Sequence, residues 1–480
     1  MHTTKRPGWA GMGLALVLGS ASGAAAADPG DLQLSFGDQG VVLVGLGGGQ
    51  EYFHDVLAEP DGGVLVAGAL YHRNAAQAPT RGYDMSVLRV LRNGQLDPEF
   101  GLDGLSQIDS GDDGDAARAL IRQPDGRLLV AGRLDSGAYS DFGLARLHAD
   151  GSLDTSFGEP INGARRGFVR LNIGPSSAIN DGANALALQS TGRVVLGGEG
   201  FAHDGGFNYQ RFALARFHTD GTLDTSFGDG GRVVSPATAF QVAEYLTAIA
   251  RRRDGSLPDD RITAVGYVFA RSTGLIRRYL ADGQPDPSFG SGGTLVLTES
   301  VVGGVRRGMA SVIDAMWLDD GKLLALGTGN ERGFVFQRFH ADGSLDTSFG
   351  NNGRTLVKFS GEVEYDEPAA LAVQADGRIL ATGYASMRYS GATSKDFAVV
   401  RLTADGQPDL SFGDGEGRST YPLSMHADEG FALTQTSDGE FIAAGRANND
   451  QSSSNGAAMQ GALMRLQGDP GLFRDGFEGD

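Results

Sequence analysis

The sequence contains no cysteine, so disulfides and thiolate catalysis are excluded and stability rests on apolar burial and sheet pairing. It also lacks an HExxH zinc motif, a GxSxG nucleophile elbow and a phosphate-binding loop, and its eight histidines are scattered. Three of them, His148, His218 and His340, recur at one repeat position beside a turn, which points to a structural use. Past the N-terminus, no run reaches the 18 or so apolar residues of a membrane helix. Positive charge is scarce as well. The chain carries 40 Lys and Arg against 59 Asp and Glu, a formal charge of -19. Binding to a phosphate backbone needs the reverse balance, so nucleic acid is excluded as the expected partner.

What the chain has is glycine and repetition. Its 75 glycines among 480 residues exceed the usual share of about 7%. They follow no collagen period and punctuate short apolar runs. The stretch ADGSLDTSFG, residues 149–158, recurs to the end, with its phenylalanine at Phe36, Phe100, Phe157, Phe227, Phe289, Phe349 and Phe412. The intervals are 64, 57, 70, 62, 60 and 63 residues, the signature of one supersecondary unit repeated seven times.

Each unit holds four short runs of strand character. Around the second and third motif copies they are ALIRQ (119–123), RLLVAG (127–132), DFGLARL (141–147) and GFVRLNI (167–173). Runs of Val, Leu, Ile and Phe bounded by Asp-Gly or Gly are the signal for antiparallel hairpins. The RLLVAG run recurs as VLVAG, RVVLGG, RITAVG, KLLALG, RILATG and EFIAAG, and no unit shows a convincing helix. Seven units of four strands, each of about 60 residues, predict an all-β, seven-bladed β-propeller, whose closure protects sheet edges. The fourth unit departs most, because RRRDGSLPDDR (251–261) lengthens one turn.

With the DG, LDxSFG and QxDGRLLVAG patterns quoted, the chain resembles the delta-60 repeat family of bacterial exported proteins. That resemblance covers about residues 30–467 and implies a β-propeller of unknown function. The closing GLFRDGFEGD resembles short DGFE-type tails of other exported bacterial proteins. The N-terminus has the parts of a secretory signal peptide. Lys5 and Arg6 begin it, Ala10 to Leu18 form the apolar centre, and Ala25-Ala26-Ala27 the cleavage site. The expected organisation is a signal peptide (1–27), the propeller (28–467) and a tail (468–480). Cleavage would leave 453 residues with a formal charge of -21, exported to the periplasm, cell surface or medium.

Periodic residues are expected to be structural. The Phe of SFG should fill the wedge between blades. The aspartate three residues earlier, Asp97, Asp154, Asp224, Asp286, Asp346 and Asp409, with Gln33 in the first copy, should hold the turn by accepting backbone N–H bonds. Arg89, Arg146, Arg216, Arg278, Arg338, Arg401 and Arg465 recur as well. Each is expected to pair with a motif aspartate across a blade junction, the competing reading being an anion-binding ring. No cofactor is required. Calcium is the inorganic partner that the acidic loops would admit; the best stretch, DSGDDGD (109–115), does not fit an EF-hand.

Function is expected among the non-periodic residues. The uniform DG turns fall on one face and the variable connections on the other, as YHRNAAQAPTRGYD (71–84), LDSGAYSD (134–141), FAHDGGFNYQ (201–210) and YASMRYSGATSKD (384–396). Variable insertions on one face of a repeat protein mark a binding face. Tyr71, Tyr83, Tyr139, His203, Tyr209 and Tyr389 are the candidate ligand contacts, since aromatic rings beside polar groups suit peptides or sugars. The reading is a non-enzymatic binding module for a protein or polysaccharide. The alternatives are a secreted carbohydrate-active enzyme using paired carboxylates, and a structural surface-coat protein.

Overall fold

In a computed structural model of the chain, the described residues are 28–45, 50–71, 82–111, 114–137, 139–160, 163–174, 180–204, 206–238, 242–269, 273–298, 300–302, 305–359, 365–389, 392–413, 415–424, 426–448 and 459–469. The segment expected to be a signal peptide (1–27) and the last eleven residues of the expected tail lie outside them. The first strand, β1 (Val41–Val44), is the outermost of the last blade. Blade 1 follows as β2 (Tyr52–Ala58), β3 (Val64–Tyr71), β4 (Tyr83–Val90) and β5 (Leu105–Ile108). Blade 2 is β6 (Ala116–Arg122), β7 (Leu128–Asp135), β8 (Ser140–Leu147) and β9 (Phe168–Leu171). Blade 3 is β10 (Gly182–Leu188), β11 (Val194–Asp204), β12 (Phe207–Phe217) and β13 (Arg232–Val234).

Blade 4 is β14 (Glu244–Ala250), β15 (Ile262–Val268), β16 (Thr273–Tyr279) and β17 (Thr294–Thr298). After a small hairpin, β18 (Ser300–Val302) with β19 (Val305–Arg307), blade 5 is β20 (Ser311–Trp317), β21 (Leu323–Thr328), β22 (Phe334–Phe339) and β23 (Arg354–Val357). Blade 6 is β24 (Glu367–Val373), β25 (Ile379–Tyr389), β26 (Ala392–Leu402) and β27 (Arg418–Tyr421). Blade 7 supplies β28 (Glu429–Gln435), β29 (Phe441–Asn448) and β30 (Met459–Leu466), and β1 completes it. All seven sheets are antiparallel and four-stranded. Among the described residues the only helix is a 3-10 turn at Pro258–Asp260.

The first strand of each blade contacts those of both neighbours, so β2, β6, β10, β14, β20, β24 and β28 line a central channel. Between blades the core is a chain of apolar clusters, each drawn from two neighbouring sheets. The repeat motif supplies the latch at each junction. All seven SFG phenylalanines are 0–1% exposed. Phe157 packs on Gly221 in the DG turn of the next blade, where a Cβ would fall 2.8 Å from the ring. Gly158 donates its N–H to the Asp220 carbonyl of the same turn at 2.9 Å. Gly221 sits at φ +85°, a conformation that also favours glycine on its own account.

The recurring arginine ties both parts together. Arg216 donates from Nε to Asp224 (2.9 Å) and from Nη2 to Ser226 (3.2 Å), while Nη1 reaches the Ala281 carbonyl of blade 4. Its guanidinium lies 4.7 Å from the Phe227 centroid. The arginines are therefore paired rather than arrayed for an anion. One detail differs from expectation: the aspartate belongs to the arginine's own unit, eight residues on. The link across the junction is instead a bond to a backbone carbonyl for Arg146, Arg216, Arg278, Arg338 and Arg465, and to the Asp469 carboxylate for Arg401, because the long side chain overreaches its own turn.

Ring closure uses the same parts. The stretch DPGDLQLSFG (28–37) serves as the motif of blade 7. Gly413 donates to the Pro29 carbonyl at 3.0 Å, Phe412 packs on Gly30, and Gln33 N–H donates to the Arg465 carbonyl at 2.8 Å.

Candidate functional site

A second glycine position shapes the channel. The last residue of every RLLVAG-type run is glycine: Gly68, Gly132, Gly198, Gly266, Gly327, Gly383 and Gly445. A Cβ on any of them would sit 1.9–2.0 Å from a carbonyl oxygen of the adjacent channel strand. Glycine inside a strand marks such close approaches and bulges. Opposite each one, the channel strand carries a bulge. The extra residues are His54, Arg118, Asn184, Thr247, Ile313, Ala369 and Phe431, and all seven are half-buried.

Beside the bulges, one cross-strand pair per blade rims the channel at the end facing the variable connections. The pairs are Tyr52 with Ala69, Ala116 with Arg133, Gly182 with Glu199, Tyr245 with Tyr267, Ser311 with Thr328, Glu367 with Tyr384, and Glu429 with Arg446. Backbone geometry repeats around this mouth, but the side chains do not. Conformity at one face and divergence at the other is what a shared scaffold with a specific site requires.

The mouth is charged and aromatic. Glu429, buried, receives Lys395 Nζ at 2.6 Å and Arg446 Nε at 2.8 Å. Arg446 also lies over Tyr52 (5.0 Å) and Phe431 (5.6 Å), and Lys395 over Tyr384 (4.0 Å). The His54 ring stands 5.9 Å from both Tyr52 and Phe431. Burial and then the charges of Arg118, Arg133 and Arg446 push its pKa well below the ordinary value. Burial raises Glu199 to about 7, against a bond from Asn184 Nδ2 (2.8 Å) and the charge of Arg118. Tyr245 stacks on Tyr267 at 5.3 Å and meets Phe269 edge-on at 5.9 Å, with Phe269 59% exposed.

Deeper in the channel, burial raises Asp314 to about 6, against N–H bonds from Leu371 and Ala315 and the charge of Arg251, with Asp55 adding to the rise. Burial raises Asp55 too, and Arg251 again opposes it. Both carboxylates accept N–H bonds from the next blade, Asp55 from Leu120 (2.8 Å) and Asp314 from Leu371 (2.8 Å). They work first as clamps between channel strands.

A second periodic acid escaped the sequence reading. Glu51, Asp115, Asp181, Glu244, Asp366 and Asp428 are buried just before or at the start of the channel strands. Asp181 accepts N–H bonds from Ile173 (2.8 Å) and Gly174 (2.9 Å), and Asp428 from Leu423 (2.8 Å) and Ser424 (2.7 Å). Asp115, Glu244 and Asp366 likewise satisfy amides of the connection that enters their blades. This accounts for part of DSGDDGD, where Asp115 accepts from Ser110 and Asp135 and Asp109 from Gly111. Among the described residues no group of three or more His, Asp or Glu is placed to hold a metal ion.

The two acid populations pull stability in opposite directions with pH. At Asp154 and Asp220 burial favours the neutral form, but serine or threonine and arginine bonds outweigh it and hold each near about 2. Folded values below the unfolded value of about 4 add stability above that pH and lose it as pH falls towards 2. Asp115, Asp314 and Asp428 are raised to about 6 by burial. The stability from their neutral forms is present below about pH 4 and lost as pH rises through 6. Melting should therefore occur at the highest temperature between about pH 4 and 6, with a steep fall below. Calorimetry from acid to neutral pH tests this, and a steady rise in melting temperature up to neutrality would contradict it.

The six residues singled out from sequence stand on the mouth's face but farther out. Tyr71 and Tyr83 pair edge-on at 5.5 Å, and the Tyr83 hydroxyl accepts the Gln50 N–H at 2.8 Å. Tyr139 is 37% exposed in the turn after β7. The stretches 201–210 and 384–396, read as loops, are instead mostly strand: β11 with β12 and β25 with β26 run on as eleven-residue hairpin arms. Their cross-strand backbone pairing continues outward, so the arms satisfy each other's amides. His203 lies near one tip, its Nδ1 3.1 Å from Asn208 Oδ1, and Tyr209 has the Arg211 guanidinium 5.6 Å from its ring. Tyr389 pairs through its backbone with Ala392, and its side chain lies outside the described residues. Among the six, only Tyr71 and Tyr83 are brought into contact in the described structure.

The profile of a family described as a beta-propeller domain of unknown function, DUF5122, matches residues 123–157, 189–227, 257–289, 318–349 and 374–412. The chain is a propeller repeat protein. No curated protein matches it. Among solved structures it is similar to Sqt1 of Chaetomium thermophilum, with 12% identity over 89% of this chain and 98% of that one and a TM-score of 0.38. It is similar also to the intramolecular trans-sialidase of Ruminococcus gnavus (9% identity, 92% and 98% covered, TM-score 0.36). A third is Drosophila Semaphorin 1b, extracellular domains 1-2 (10% identity, 92% and 87% covered, TM-score 0.40). Likeness at this level says nothing of activity.

Proposed function

We propose that the protein is an exported, non-enzymatic binding module of the delta-60 repeat kind, with its ligand at the channel mouth on the face of the variable connections. One observation carries this: side chains that break the sevenfold repeat with charge and aromaticity gather there, whereas the opposite face repeats one latch. Concave sites with a few convergent polar groups among aromatic rings are where small ligands and chain ends bind. Export rests on the N-terminal signal pattern, whose cleavage after Ala27 would leave Asp28, Pro29 and Gly30 as the first closing turn.

The test is calorimetric titration of residues 28–480 with envelope and extracellular polysaccharides and with candidate protein partners, in calcium and in chelator. Phe269→Ala should weaken binding about tenfold or more without changing the melting temperature, because the ring is exposed. Tyr209→Ala, on a hairpin arm, should matter less. If Tyr209→Ala abolished binding and Phe269→Ala did not, the site would belong to the arms. The second reading, a carbohydrate-active enzyme, is favoured by Asp55 and Asp314 sharing the channel with Arg251. Their engagement by backbone amides weighs against it, and turnover of a glycan abolished by Asp314→Asn would establish it.

A further inference from the structure

A chain of formal charge -19 has acids to spare, and it uses them to neutralise its buried cations. At the mouth, Arg446 and Lys395 are tied to Glu429. Arg118 and Arg133 are not treated this way. They sit side by side in blade 2, Arg118 at the bulge and Arg133 opposite Ala116 two residues earlier. Among the described residues no carboxylate makes a salt bridge with either, and Arg133 donates from Nε to the Gly114 carbonyl at 3.1 Å. Arg118 is half-buried, and Arg133 is exposed. Burial, then the neighbouring charge of Arg133, lowers the pKa of Arg118, and Glu199 opposes the shift. Two neighbouring guanidinium groups without a salt-bridged carboxylate, at the channel mouth, match an incoming carboxylate.

The neighbours narrow the ligand. On one side of the pair stands His54 with Tyr52 and Phe431. On the other come Asn184 and Glu199, then the Tyr245, Tyr267 and Phe269 stack of blade 4. Asn184 of blade 3 donates to Glu199 (2.8 Å) and to the Leu246 carbonyl of blade 4 (2.8 Å), and the Glu199 charge acts on Arg118 of blade 2, so these groups of blades 2, 3 and 4 are neighbours at the mouth. A bare anion would use the arginines and leave the aromatic rings unused. A neutral sugar would leave the arginines uncompensated.

Resting on the mouth as the binding site, we propose that it takes an acidic saccharide, with a uronate carboxylate between Arg118 and Arg133 and a neighbouring sugar ring against the Tyr245, Tyr267 and Phe269 stack. Asn184, whose Nδ2 is spent on Glu199 and on the Leu246 carbonyl, keeps its Oδ1 to accept from a ring hydroxyl between them.

The experiment titrates residues 28–480 with a galacturonate oligosaccharide, with the neutral galactose oligosaccharide of the same length, and with citrate as a free carboxylate. The galacturonate oligomer should bind, and the neutral oligomer should bind about tenfold or more weakly. Arg133→Gln, at an exposed position, should lower affinity about tenfold or more with an unchanged melting temperature, and Arg118→Gln should do the same. Binding should also weaken steeply with salt. Equal binding of the neutral oligomer, still lost in Phe269→Ala, would overturn the acidic class and leave the mouth as the site. Citrate matching the oligomer in affinity would overturn the saccharide. Binding of none of the three, with the polysaccharide and protein panels also insensitive to Phe269→Ala, would overturn the mouth itself.

Discussion

Replacing Phe227 by alanine should cost about 3 to 5 kcal/mol of stability, the usual loss for a fully buried aromatic. The ring is 0% exposed and belongs to the apolar cluster shared by blades 3 and 4. It also forms the floor under the Arg216 guanidinium, 4.7 Å away. Truncation therefore opens a cavity and loosens a buried cation whose other partners are Asp224, Ser226, Gln189 and the Ala281 carbonyl. The glycine on the far side should respond too. A Cβ on Gly283 would meet the Phe227 ring at 2.8 Å, and its φ of +91° is strained for any L side chain. Gly283→Ala should thus destabilise by about 1 to 3 kcal/mol through overpacking and backbone strain. In the double variant part of that overpacking disappears, since the ring it strikes is gone, and the losses should sum to less than the two single effects. Urea unfolding of the four proteins measures this. Strict additivity would mean that ring and glycine do not act as one joint.

Much of this joint was legible in the sequence. The period fixed seven units, and each DG and SFG pair could be assigned to turns and wedges because one residue type recurs wherever one geometry recurs. The blade boundary was less so, because it lies between runs that look alike. That β1 pairs with β30 emerges only from the structure, where Val41 lies opposite Met464 and Gln33 meets Glu440. The mouth was harder still. Variable loops drew attention to Tyr71, Tyr139 and His203, whereas the non-repeating side chains nearest the axis sit inside strands, at bulges. A bulge breaks the alternation by which a strand is read, so the pattern does not single out His54 and Arg118. The available signal was the glycine ending each RLLVAG-type run. A glycine held inside seven apolar strands marks a close backbone approach, and the channel strand is what approaches. The acids at Asp115, Asp181 and Asp428 were hidden differently. They lie outside the motif, in connections of varying length, and only their amide bonds show that they are buried caps.

The closing blade carries the second large effect. In blades 2 to 6 the motif aspartate takes a second cation from the residue before or at the start of the next-to-channel strand. The contacts are Arg193 with Asp224 (3.1 Å), Arg261 with Asp286 (3.4 Å), Lys322 with Asp346 (3.1 Å) and Arg378 with Asp409 (3.1 Å), and Arg127 stands 3.7 Å from Asp154. Blade 7 reverses the charges. Gln33 replaces the aspartate, and Glu440 replaces the cation, so the carboxylate reaches Arg465 from the opposite side, while Gln33 Nε2 donates to Glu440 at 2.7 Å. Arg465 is 1% exposed and donates onward to the Gly62 carbonyl of blade 1 at 2.8 Å. Glu440→Arg should therefore cost about 3 to 5 kcal/mol, the loss expected when a buried cation is stripped of its partner. Asp438, 3.2 Å from Arg465, offsets only part of it. Adding Gln33→Asp rebuilds the arrangement of blades 2 to 6 and should restore most of the loss. The damage should be local as well as global, because Gln33 precedes β1. Limited proteolysis of Glu440→Arg should cut near the N-terminus well before the wild type, and the double variant should resist again. A double variant no more stable than Glu440→Arg would show that the seam is held by β1 pairing with β30 and not by this exchange of charge.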